Sequence, residues 1–139
     1  MKKIIFLMLV STILTSCGKK AEHSGHNMDA PSGNGNQALY DEIMNIHDEV
    51  MPKTESLYNL SKGLKVNLKE AKSDDEKLEL QKRINYLDSV NQMMSNWMHE
   101  FKPLPDTTNA ETANAYYETH LEKVKRVKEA INTALAIEK

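Results

Sequence analysis

Two short stretches hold the residue types best suited to chemistry. In "IHDEVMP", residues 46–52, His47 and Met51 stand four apart, just before Pro52. In "MMSNWMHEF", residues 93–101, Met94, Met98 and His99 surround Trp97. Imidazole and thioether donors suit Cu(I), whereas carboxylate, carbonyl and water suit harder ions. The same side chains also make an ordinary core, because methionine fills irregular gaps and contacts aromatic rings favourably. The sequence leaves two readings of His47, Met51, Met94 and Met98. Either they hold a soft metal, with copper as the candidate cofactor, or they pack without any cofactor.

A third group of the same chemistry lies nearer the N-terminus. His23, His26 and Met28 form H-x-x-H-x-M within "GKKAEHSGHNMDAPSGNGN", residues 18–36, a spacing found in flexible copper-binding tails. The surrounding composition is polar, with four of the five glycines and almost no apolar residue. Such a segment buries too little surface to offset its ordering entropy and reads as a flexible spacer. Its histidines either capture metal or are incidental to a polar tether.

The elements that must position the first two groups are helical. From Gln37 onward there is no strand-like alternation. Leu39, Ile43, Ile46, Val50, Leu57, Leu60, Leu64 and Leu68 recur at steps of three, four or seven, one apolar stripe on a helix. Met44, His47 and Met51 form a second stripe beside it. Pro52 removes a backbone donor and crowds the carbonyl of Asp48, which predicts a kink or a full split, and Gly63 weakens the same helix.

A second helix starts at "SDDE", residues 73–76, a capping box in which Ser73 accepts from the third free N–H and Glu76 reaches back to the cap. Its stripe is Leu80, Ile84, Leu87, Met94, Met98 and Phe101, widened by Val90 and Trp97. Asn91 falls on this stripe and needs a partner, for which His120 is the candidate. "KPLPD", residues 102–106, ends the helix because a residue before proline avoids the helical region.

A third helix follows, with Asp106, Thr107, Thr108 and Asn109 as candidate caps. It turns Tyr117, His120, Val124, Val127, Ile131 and Ala134 inward, while Lys123, Lys125, Arg126 and Lys128 face solvent. The expected fold is all-α, a three-helix up-down-up bundle over residues 37–139. An antiparallel return at residue 73 sets His47 and Met51 level with Met94, Trp97, Met98 and His99.

Composition and motifs narrow the function. Lys2 and Lys3 precede an apolar run from Ile4 to Leu14 that is shorter than the roughly 20 residues of a membrane span. It leads into Leu14, Thr15, Ser16 and Cys17, which resembles the lipobox of bacterial lipoproteins. That resemblance implies that residues 1–16 are a signal peptide and that Cys17 carries a diacylglyceryl group with further acylation such as palmitate. Residues 17–36 are then the lipidated cysteine and its tether. The protein would be extracytoplasmic and held by its lipid anchor on the periplasmic face or outer membrane.

Cys17 is the only cysteine, so no internal disulfide or thiolate nucleophile is left. Loss of Lys2 and Lys3 with a leader brings 18 basic residues to 16 against 20 acidic, a charge of −4, which argues against nucleic acid as a partner. The Glu-x-x-His pair of di-iron bundles, H-E-x-x-H, G-x-S-x-G, a phosphate loop and C-x-x-C-H are all missing, so an enzyme is not expected. "HDEVMPK" paired with "WMHEFKP" and a lysine-rich last helix resembles a group of small helical bacterial lipoproteins, some labelled viral A-type inclusion proteins. The resemblance implies an uncharacterised membrane-tethered helical protein. The expected role is a binding or structural module of the cell envelope, with an unidentified envelope protein as partner. The alternative is a copper-binding lipoprotein.

Overall fold

The computed structural model describes residues 36–138, which form three α-helices and no strand. These are α1 (Asn36–Glu70), α2 (Asp74–Glu100) and α3 (Ala110–Ile137). Residues 1–35, including Cys17, His23, His26 and Met28, lie outside the described residues. α1 begins one residue inside the stretch assigned to the tether.

The direction of each helix follows from its cross-links. Glu42 pairs with Lys125, Glu49 with Lys128, and Lys53 donates to Asn132, so residue numbers on α1 and α3 rise together. Glu100 pairs with Lys123 and Arg83 with Glu138, so α2 runs against α3. The bundle is therefore up-down-up. The Arg83–Glu138 pair also marks where α3 stops, and the hairpin of α1 and α2 continues past it.

Burial follows the apolar stripes. Ile43, Ile46, Val50, Leu57 and Leu64 of α1 meet Leu80, Ile84, Leu87, Val90, Met94, Trp97 and Phe101 from the second helix and its cap. Tyr117, Leu121, Val124, Val127, Ile131 and Ala134 of α3 complete the core. Leu39, Leu60, Leu68, Met98 and Leu135 are only partly buried and pack at its margin, whereas Tyr40 and Ser61 are buried.

α1 is not split. It runs as one 35-residue helix through Pro52, about 50 Å long at 1.5 Å per residue. Pro52 withholds a single donor, the one owed to the Asp48 carbonyl. Val50 and Leu57 on either side of it are buried in the same core, so packing outweighs the local loss. Thr54 donates its hydroxyl to the Met51 carbonyl at 2.7 Å just past the lesion.

The caps follow the sequence with one change. Ser73 accepts from the Glu76 N–H at 3.2 Å, but Glu76 reaches one residue beyond the cap and accepts from the Lys72 N–H at 3.2 Å. Of the four candidate caps on α3, Asn109 is used, its Oδ1 accepting from the Glu111 and Thr112 N–H groups.

Ser61 turns a hydroxyl into the α1–α2 seam. It donates to Asp88 Oδ1 at 2.6 Å while Lys65 holds Asp88 Oδ2 at 2.8 Å. Lys65 and then Ser61 hold the Asp88 carboxyl below its ordinary range. A buried hydroxyl satisfied by the neighbouring helix fixes the register of the hairpin, since a slip would leave it unpaired.

Gly63 faces open space, with nothing within 4 Å of where a Cβ would stand. Gly63→Ala should therefore raise stability by roughly 0.5–1 kcal/mol, the propensity difference between the two residues in a helix interior. Urea unfolding followed by circular dichroism would measure it. A lower midpoint would mean that the glycine serves a contact beyond the bundle.

Candidate functional site

The two stretches that carry donor chemistry meet at one end of the bundle. The His47 imidazole lies 6.0 Å from the Trp97 indole, centroid to centroid, across the α1–α2 seam. On α1, Met44 and Met51 are three residues before and four after His47, and both are partly buried against the core. On α2, Met94 and Met98 are three residues before and one after Trp97. Met94 is 1% exposed and Met98 sits at the core margin. The His47–Trp97 contact therefore joins the two stretches, as an antiparallel return at residue 73 requires.

His47 is polarised by its neighbour in sequence. Its Nδ1 lies 2.8 Å from Asp48 Oδ1. A carboxylate only accepts, so Nδ1 carries the hydrogen and Nε2 of the neutral ring is left as an acceptor. A carboxylate on the far nitrogen is how proteins orient and strengthen a ligating histidine. The ring is at the core margin, 20% exposed, and is accessible without being fully solvated.

Trp97 continues into an aromatic stack. It lies on Phe101 at 5.1 Å and 11° between planes, and Phe101 contacts Tyr40, Tyr116, Tyr117 and His120. The loop after α2 is bound to this stack. Pro103 and Pro105 have no N–H, and the two donors between and before them go to tyrosines. The Lys102 N–H is accepted by Tyr116 Oη at 2.8 Å, and the Leu104 N–H by Tyr117 Oη at 3.1 Å. Tyr116 also donates to the Lys102 carbonyl at 2.9 Å. The other edge of Trp97 forms the floor of an open cleft of about 280 Å³ between α2 and α3, rimmed by Met93, Asn96 and Arg126.

Two buried polar atoms at this end have no hydrogen-bond partner, Trp97 Nε1 and His120 Nδ1. Their side chains are 4% and 5% exposed. Leaving such an atom unpaired costs about 1–3 kcal/mol. The expected bond between His120 and Asn91 does not form. Glu100 stands opposite Lys123, which sets His120 level with the end of α2, while Asn91 is nine residues back along it, roughly 13 Å at 1.5 Å per residue. His120 instead packs against Phe101 at 5.2 Å and Tyr116 at 4.4 Å. Burial, and then the nearby Lys123 ammonium, hold its imidazole below the usual range, against a smaller opposing pull from Glu100.

His99 lies apart from His47 in character, exposed and bonded through Nδ1 to the Ser95 carbonyl at 2.7 Å. No three His, Cys, Asp or Glu side chains converge among the described residues, so a metal at this end would depend on thioethers. No described helix is long and apolar enough to cross a membrane. Neither family models, curated proteins nor solved structures yield a match to the sequence.

Sequence reasoning assigned no role to the Asp48 side chain or to Tyr116, neither of which falls on an apolar stripe. The double proline was the available signal for the tyrosines, because a loop short of donors must have its remaining N–H groups satisfied.

The neutral His120 sets a pH dependence. With its folded pKa depressed relative to the unfolded value of about 6.5, its contribution to stability is complete above that pH. The contribution is lost as the pH falls through the lowered folded value. Denaturant unfolding between roughly pH 7.5 and 5 should show stability falling toward acid, and less steeply in His120→Leu. Equal slopes would show that His120 takes up its proton without cost.

Proposed function

We propose that this chain is a lipid-anchored, extracytoplasmic module whose helical body binds a partner at the His47–Trp97 end. The observation that carries the binding role is the concentration there of a partly exposed, carboxylate-oriented imidazole beside the Trp97 indole and of two buried polar atoms without a protein partner. Elsewhere in the bundle the buried Ser61 hydroxyl is satisfied across helices.

The anchor rests on Leu14, Thr15, Ser16 and Cys17 following a short apolar run. Two or more acyl chains on Cys17 would hold the protein stably, each buried CH₂ contributing about 0.8 kcal/mol. α1 starts at Asn36, so the tethered end and the His47–Trp97 end of the bundle are the same end.

A copper-binding role is the second reading, and one observation favours it over an unspecified partner. The Asp48 contact leaves His47 Nε2 as the acceptor within a methionine-rich neighbourhood.

Metabolic labelling with a palmitate analogue tests the anchor. The wild-type protein should incorporate label into the membrane fraction and Cys17→Ala should not. Labelling that persists in Cys17→Ala would remove the anchor assignment.

A further inference from the structure

We infer that the α1–α2 seam at His47 is a Cu(I) site, with His47 Nε2 and the thioethers of Met51 and Met98 as ligands, Met94 behind them and the Trp97 indole as one wall. The inference rests on reading this end of the bundle as the module's binding end, and it names the ligand class that end would take.

The donor set selects the ion. No three His, Cys, Asp or Glu side chains converge among the described residues, which leaves Zn(II) and harder cations without a ligand set there. Thioethers are soft, uncharged donors, and Cu(I) is the ion they hold best. An uncharged ligand set around a monovalent cation also avoids placing a carboxylate in a partly buried seam. Asp48 acts from one bond further out, through Nδ1 of His47, and its own side chain stays largely in water. The indole adds a favourable electron-rich face, since a cation within about 6 Å of a tryptophan ring is attracted to its quadrupole.

The backbone presets the α1 half of the site. His47 and Met51 are one helical turn apart on the same face, and Pro52 follows directly. Met98 and Met94 are likewise one turn apart on α2, with Trp97 between them. The two pairs come from antiparallel helices that meet at the His47–Trp97 contact, where His47 is partly exposed and Met94 is buried.

Trp97 is the only tryptophan in the chain, so its fluorescence reports on this location directly. The test is an anaerobic Cu(I) titration of the processed protein in detergent, against a chromogenic Cu(I) chelator, reading Trp97 emission and chelator absorbance together. The expected result is a saturable change in emission complete at one Cu(I) per chain, unaltered when His23, His26 and Met28 are all replaced by alanine. It should be lost in the double variant Met51→Leu and Met98→Leu. Leucine preserves the packing, so the helical circular dichroism of that variant should match wild type. Asp48→Asn should weaken Cu(I) about tenfold, as loss of a carboxylate partner does at other histidine ligands.

Emission indifferent to Cu(I), or equal Cu(I) affinity in the double leucine variant, would overturn the site. Mass analysis of Cys17 in the same preparation separates the two readings. An acylated protein that ignores Cu(I) removes the metal and leaves the tethered module, whereas an unmodified thiol removes the tether whatever the copper result.

Discussion

The contact between His47 and Trp97 ties the rest of the structure together. It joins the proline-marked turn of α1 to the last turns of α2, and through Phe101 it continues into the loop and the first turns of α3. Few rings are available, with six per cent aromatic residues in the whole chain, and most of those described are gathered at this end. The opposite half of the bundle is held by aliphatic side chains and by the Ser61–Asp88–Lys65 link. The two halves therefore differ in kind. One is a regular helical hairpin with a fixed register; the other is a polarisable cluster with unmet hydrogen-bonding capacity.

Trp97 Nε1 and His120 Nδ1 are both buried without a protein partner. They persist because the surroundings over-determine them. Trp97 is stacked on Phe101, and His120 is enclosed by Phe101 and Tyr116, which in turn holds the loop backbone at both Lys102 groups. Real proteins break local rules chiefly at functional sites. The clustering of both violations beside Phe101 is what directs attention to this end and away from the hairpin tip.

Most of the fold was legible because helix stripes, caps and proline-rich breaks are local signals. The three helices, the Ser73 start of α2 and the inward set on α3 follow from period and punctuation alone. Pro52 was harder to read. Its effect on α1 depends on how well Val50 and Leu57 pack on either side, which is a tertiary property that no local rule contains. The meeting of His47 with the Trp97 stretch was legible because an antiparallel hairpin with a known turn fixes which residues are level. His120 was not: its expected partner Asn91 shares the inward face but lies at a different height, and height depends on the α2–α3 register set by Glu100–Lys123 and Arg83–Glu138. Contacts between side chains adjacent in sequence, such as Asp48 with His47, have no periodic signature at all.

The proposed role couples two features that the sequence separates by some thirty residues, a lipid-bearing Cys17 and a soft-donor seam at His47. α1 starts at Asn36, at the end of the bundle where His47 meets Trp97. X-ray absorption at the copper edge of the Cu(I)-loaded protein, with His23, His26 and Met28 replaced, tests the ligand set most directly. One nitrogen and at least two sulfur scatterers in the first shell would match His47, Met51 and Met98. A shell of nitrogen and oxygen alone would contradict the account.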